Sequence, residues 1–206
     1  SSSDRQSNIK VEEKNGIKYA FLAYTSVTNG LLPHSGKEYL TNIYSKEKAQ
    51  KDINKIKDKV DLIIVSMHWG EEYVTTPNNS QKQIAKELSD MGVNLVIGNH
   101  AHMIEPVEKI NDTLVFYALG NFIAAQDTND KQTGALVTLN INKDKNGKIT
   151  FSNVKANLLY TYFKGSHNFK VYPYTKLNNS LLNNYETYYN KYKGVLTKYT
   201  NIVEVE

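Results

Sequence analysis

Five histidines stand in the 206 residues, and three of them, His68, His100 and His102, follow short apolar runs that could bring their imidazoles together. Asp61 to Met67 (DLIIVSM) and Asn94 to Gly98 (NLVIG) read as buried strands. The first delivers His68-Trp69-Gly70-Glu71-Glu72-Tyr73 and the second Gly98-Asn99-His100-Ala101-His102. A third run, Leu114 to Gly120 (LVFYALG), delivers Asn121 and Phe122. In open parallel sheets ligands collect outside the carboxyl ends of the strands, because the loops converge there. A His-x-His pair in extended backbone points both rings to one side, with Cα atoms about 6.5–7 Å apart. Rings so placed can reach two divalent cations about 3.5–4 Å apart, the arrangement that clamps the attacking and leaving oxygens in phosphoester hydrolysis. Neutral imidazole suits Mn, Zn or Fe, so spacing does not choose the metal. His68, His100 and His102 are therefore the candidate catalytic and metal-binding residues, and Gly98 is expected to let the chain turn sharply before the pair.

The neighbours of these histidines carry two readings each. Trp69, the only tryptophan, either walls a substrate cleft or plugs the core beside the loop. Glu71 and Glu72 either orient a histidine, serve as an acid or contact substrate, or form an exposed turn pair. Asn121 either hydrogen-bonds a ligand or is a turn residue after Gly120. Trp69, Glu71 and Asn121 are taken as candidate substrate-binding residues. His34 and His167 lie in Gly- and Ser-bearing loops and read as solvent-exposed bystanders. Paired dications also need negative charge, yet no Asp occupies an equivalent strand-end position, so the expected metal site is incomplete in this chain.

These loops must be held by a layered α/β framework. Ile17 to Thr25 reads as a strand after the Asn15-Gly16 turn signal, forming a hairpin with Asn8 to Val11. Ser45 caps a helix whose Ala49, Ile53, Ile56 and Val60 share one face, and Ser80 is expected to cap a second with Ile84, Ala85, Leu88 and Met91. The near-continuous apolar strands predict a parallel sheet covered on both faces, joined by right-handed βαβ crossovers. After Gly134 the pattern alternates, so Ala135 to Asn142 and Lys148 to Val154 predict an antiparallel hairpin, with a third strand through Asn157 to Phe163. From Asn178, Leu181, Leu182, Tyr185, Tyr188, Tyr192, Val195 and Tyr199 return to helical spacing. The division read from the sequence is residues 8–165 for the main domain and 166–206 for a Tyr- and Asn-rich tail with a terminal helix.

Composition narrows the function classes. Hydrophobic residues at 40% and charged residues at 22% are ordinary globular usage. The formal net charge is +4, with lysines mixed among acids as in Lys46-Glu47-Lys48. Those faces read as solvated, and no nucleic-acid partner is expected; the Tyr-rich tail reads as packing more simply than as a base-stacking platform. With 0 cysteines there is no disulfide, thiolate metal site or Cys nucleophile. No run approaches the ~18 apolar residues of a membrane span, and Ser1 to Asn8 lacks the apolar core of a signal peptide.

The ordered series His68-Trp69-Gly70-Glu71-Glu72-Tyr73, Pro77, Gln81, Gly98-x-His100-x-His102, Glu105-Pro106-Val107-Glu108 and Tyr117-Ala118-Leu119-Gly120-Asn121-Phe122 resembles the later half of the CapA family of capsule and poly-γ-glutamate synthesis proteins. The resemblance covers roughly residues 8 to 140. It departs at His100-Ala101-His102-Met103, where the family more often has His-Pro-His-Val, and at Ala118, where it more often has Ser. The resemblance implies a calcineurin-like metallophosphoesterase fold of two packed sheets flanked by helices, with His68, His100 and His102 as metal ligands. It also implies an earlier half that supplies the carboxylates and is not in this chain. The expectation is a protein of capsule or poly-γ-glutamate synthesis, export or anchoring, held at the extracellular face of a Gram-positive membrane. Its expected partners are its own N-terminal half, other capsule-synthesis membrane proteins and an anionic polymer substrate. The alternative is a non-catalytic scaffold or polymer-binding subunit.

Overall fold

The first structural decision is the Asn15-Gly16 turn, whose residues take φ values of 52° and 77°. This left-handed pair matches the twist of a two-residue hairpin. It joins β1 (Val11–Lys14) to β2 (Ile17–Thr25), with Lys14 opposite Ile17 and Val11 opposite Ala20. The first strand is therefore Val11–Lys14 and not the expected Asn8 to Val11, because the tight turn pulls the pairing forward. The structure is a computed structural model that describes residues 8–165 and 167–206. The reading of the first residues as lacking a leader, and the domain boundary at residue 166, fall on or beside positions outside this description.

Helix α1 (Lys46–Ile56) starts where the Ser45 hydroxyl accepts from the Lys48 amide, and it buries Ala49, Ile53 and Ile56. Helix α2 (Asn79–Asp90) is capped by Asn78 and not by Ser80. Asn78 Oδ1 accepts from the Gln81 amide while Gln81 Oε1 accepts from the Asn78 amide, a reciprocal pair that satisfies two otherwise orphan donors. Strands β3 (Leu62–His68), β4 (Leu95–Asn99), β5 (Val107–Ile110) and β6 (Thr113–Phe116) complete a six-stranded sheet of order β1-β2-β3-β4-β6-β5. Its four central strands are parallel, as the βαβ pattern requires. The hairpin strand β5 is an addition the sequence pattern does not announce.

The second sheet is made by β7 (Thr133–Lys143), β8 (Ile149–Lys164), β9 (His167–Pro173) and β10 (Val203–Val205). The expected third strand is simply the far part of the 16-residue β8. Helix α3 (Tyr185–Leu196) buries Tyr192 and Leu196 in the same apolar cluster as β8 and β10. Residues 167–173 and 203–205 thus pair with β8, and the helix between them packs on the second sheet.

Side-chain alternation sorts the core into two halves. Ile63, Val65 and Met67 of β3, Val96 of β4 and Val115 and Tyr117 point at α1 and α2. Leu95, Leu114 and Phe116 point the other way, against Ala156, Leu158 and Tyr160 of β8. Each such side chain contributes about 1.5–3 kcal/mol when fully buried. The second face is only partly covered: over β2 and β3, Tyr19 and Ile64 are half-buried and Phe21 is 54% exposed. The expectation of a sheet buried on both faces holds on the β4–β6 side and fails over β2.

Candidate functional site: a histidine cluster at the strand ends

The parallel order β2-β3-β4-β6 puts the carboxyl ends of β3, β4 and β6 side by side. His68 closes β3, His100 and His102 follow β4, and Asn121 follows the bridge at Gly120 beyond β6. The His68 and His100 ring centroids are 4.4 Å apart and those of His100 and His102 6.5 Å apart. The three histidines expected to converge do so.

The backbone path differs from the extended one read from sequence. His100 has φ 101° and His102 φ 56°, both on the left-handed side that costs a residue with a side chain about 1–3 kcal/mol. Two backbone bonds hold the loop in place, from the Trp69 amide to the Asn99 carbonyl (3.1 Å) and from the Tyr73 amide to the Ala101 carbonyl (2.7 Å). The strain is thus paid by neighbouring loops that over-determine the turn.

Gly98 serves a different purpose from the sharp turn expected of it. It lies within β4, and a Cβ there would meet the Tyr117 carbonyl at 1.9 Å and Trp69 Nε1 at 2.3 Å. The Trp69 indole crosses this gap to donate to the Tyr117 carbonyl at 2.8 Å. Trp69 is 0% exposed and stacks on Tyr117. It is a core plug beneath the cluster, and its assignment as a substrate-binding residue is corrected: no part of it reaches the surface.

Asn121 is likewise corrected from substrate contact to positioning residue, because its amide is spent inside the protein. Nδ2 donates to the His102 carbonyl (3.2 Å) and the Lys131 carbonyl (2.7 Å). Both amide hydrogens are therefore used, Oδ1 faces the imidazole 2.8 Å from His102 Nδ1, and an amide oxygen only accepts. In the neutral ring this places the His102 proton on Nδ1 and the lone pair on Nε2. His68 Nδ1 has the same relation to Asn99 Oδ1 at 3.0 Å. Such outer partners fix imidazole tautomer and aim in metal sites. Gly134 of the second sheet makes room for this: a Cβ there would sit 2.0 Å from the Asn121 carbonyl.

Burial lowers the His100 pKa below the ordinary histidine value, neighbouring His68 and His102 add to the effect, and the Glu72 carboxylate opposes it. A neutral His100 keeps a lone pair at neutral pH. Glu72, and not Glu71, is the carboxylate whose charge is felt at the cluster; Glu71 is exposed on the same loop. His34 and His167 are exposed, as the sequence indicated.

Residues that sequence reasoning did not assign complete the surroundings. Tyr73, at φ 67°, stacks on His102 with centroids 5.9 Å apart, and Lys131 Nζ stands 3.9 Å from the Tyr73 ring centroid while pairing with Asp127. Nothing in the spacing of Lys131 tied it to the site. Behind the His102 loop, Glu105 is 1% exposed; its Oε2 accepts from Gln81 Nε2 at 2.7 Å and its Oε1 has no partner among the described residues. Burial pushes its pKa up to about 7 against the pull of Gln81. This carboxyl braces the His102 loop against the start of α2.

In kind, three imidazoles with aimed or neutral nitrogens fit a borderline divalent cation. Among the described residues no group of three or more His, Asp or Glu side chains stands in metal-holding geometry. The donor set fits such an ion in ligand type and lacks first-rank carboxylates.

Comparison with known proteins agrees with the motifs. The family model described as bacterial capsule synthesis protein PGA_cap matches residues 1–126. The "PGA biosynthesis protein CapA" of Bacillus subtilis (strain 168) is 32% identical over 156 residues, covering 71% of this chain and 38% of that protein. The "Capsule biosynthesis protein CapA" of Bacillus anthracis is 30% identical over 134 residues, covering 63% and 33%. The chain thus spans little more than a third of the length of these relatives. Among solved structures, the NAD nucleotidase NadN of Haemophilus influenzae aligns with a TM-score of 0.42 at 10% identity, over 96% of this chain and 38% of that one. With the family model matched from residue 1 through the histidine cluster to residue 126, this chain belongs to the bacterial capsule synthesis protein PGA_cap family.

Proposed function

We propose that the chain is the histidine-bearing part of a CapA-like protein that acts in capsule or poly-γ-glutamate synthesis, export or anchoring. The names of its Bacillus relatives support this reading. In it, His68, His100 and His102 hold one or two divalent cations, Mn, Zn or Fe, with carboxylate ligands added by the N-terminal half of the protein. The observation that carries it is the gathering of three imidazoles from two strand ends, with His102 aimed by Asn121. Bound there, such an ion would supply Lewis-acid activation of water against a phosphoester. The chain's own residues have definite tasks. Asn121 and Asn99 hold the imidazoles in orientation, the Trp69 plug keeps the loop bases dry and fixed, and Lys131 offers positive charge beside the cluster for an anionic polymer. The proposed setting is the extracellular face of a Gram-positive membrane, alongside other capsule-synthesis membrane proteins. Among the described residues no helix is long and apolar enough to cross a membrane.

The test uses the complete protein. Metal analysis should find one or two divalent ions per chain, and His100→Ala should lose metal together with hydrolysis of a phosphodiester such as bis-p-nitrophenyl phosphate. A protein that binds no stoichiometric metal, with His100→Ala cells still making normal capsule, would overturn the enzyme reading in favour of a scaffold.

A further inference from the structure

The two sheets end very differently at their edges. β1, the outer strand of the six-stranded sheet, reads Val-Glu-Glu-Lys, and charges of this kind block edge-to-edge pairing. β7, the outer strand of the second sheet, pairs with β8 along one side. On its other side the Gly120–Gly134 bridge and the bond from the Ala135 amide to the Leu119 carbonyl occupy its first residues. From Leu136 to Asn142 (LVTLNIN) that side has no strand partner among the described residues. The segment carries no charge, no proline and no glycine, and of the usual protections of an exposed edge it has only the register shift against β8 between Thr138 and Asn140.

The same edge borders the uncovered apolar face. The second sheet runs from β10, on the β5–β6 side, to β7, whose far end reaches over β3 through the Lys143–Asp61 ion pair. There an open cleft of about 740 Å³ lies between Leu139 and Ile141 above and Ile17, Tyr19, Leu62 and Ile64 below. Phe21 continues this face at 54% exposure. One more strand, placed at the usual spacing of about 4.8 Å beyond β7, would lie over β2 and bring its inward side chains into the cleft.

We propose that the open side of β7 receives a strand from the N-terminal half of a CapA-type chain, which extends the second sheet across β2 and β3 and seals Phe21, Tyr19 and Ile64 beneath it. The proposal rests on the reading of this chain as part of a longer CapA-like protein, which the 38% and 33% coverage of its relatives supports. It also gives that half a reason to be close to the histidines. A strand anchored on β7 enters the sheet whose Gly134 leaves room for Asn121, so the edge that completes the core adjoins the residue that aims His102.

These 206 residues contain no cysteine, so an introduced thiol is the only one they carry, and any cysteine elsewhere in the complete protein is first replaced by serine. In the complete translated protein, Phe21→Cys should react with a maleimide at least about tenfold more slowly than Lys86→Cys, a reference site on α2 whose side chain is 57% exposed. Hydrogen exchange on the unsubstituted protein should show the outward amides of residues 136–142 protected like those of an internal strand. Equal labelling at the two sites, or amides of 136–142 that exchange at edge-strand rates, would overturn the proposal. Protection that appears only as light scattering reports a dimer would overturn it too, by assigning the edge to a second copy. Metal content and phosphodiester hydrolysis are separate readouts, so failure of the strand assignment and failure of the catalytic reading are told apart.

Discussion

Glu105 makes the fold itself a pH gauge. The carboxyl is 1% exposed, with Gln81 Nε2 on one oxygen and nothing on the other among the described residues, and its pKa rises from 4.5 to about 7 on burial. Below about pH 4.5 it is protonated in both the folded and the unfolded chain and does not tilt the equilibrium. As the pH rises from there to about 7, the unfolded chain releases the proton while the fold retains it, so stability falls through this window and the loss is complete above it. A raised acid pKa of this size corresponds to roughly 3 kcal/mol, or about 6–12 °C in Tm for a chain of this length. Glu105→Gln keeps an oxygen for Gln81 and removes the ionisation. In calorimetric melts from pH 4.5 to 7.5, the Tm difference between variant and parent should move in the variant's favour by about that amount. Carboxylates that shift the other way, such as Asp61 held low by Lys143, act on both proteins alike and cancel in the difference. Two Tm curves that run parallel across the window would refute the reasoning.

Three further outcomes follow from the packing around the histidines. Gly98→Ala puts a methyl 1.9 Å from the Tyr117 carbonyl and should cost at least about 3 kcal/mol, with the single Trp69 reporting its displacement as a red-shifted emission. Asn121→Ala frees the His102 ring and leaves two carbonyls unpaired, so metal affinity should fall about 10–100-fold, checked by competition with a chromogenic chelator. His100→Gly relieves the strain at φ 101° and should raise the melting temperature, or leave it unchanged, while metal binding is lost; a large drop in stability would show that the imidazole is structural.

Much of the site is legible in the sequence because its parts are local. A strand followed by His68, and another followed by Gly98-Asn99-His100-Ala101-His102, can be seen in a few consecutive residues, and parallel-sheet topology then brings strand ends together. The capping of α2 shows the limit of local reading: Ser80 is a good cap by type, but Asn78 wins because Gln81 stands three residues on to return the bond. The roles of Trp69 and Asn121 show a deeper limit. Both follow strands as ligand-binding residues do, and only the packed structure sets Trp69 against a carbonyl 48 positions away and spends the Asn121 amide on the Lys131 carbonyl.

The sequence by itself determined the family, the parallel α/β half, the antiparallel half and the three histidines that meet, since each rests on periodicity or on motifs within one short segment. Only the tertiary structure decided that His100 and His102 turn through left-handed backbone, that Glu105 is sealed with one oxygen unpaired, and that β7 ends the second sheet before β2 is covered. Those features depend on which distant backbone atoms approach within a few ångströms, and side-chain type and spacing along one chain carry no record of that.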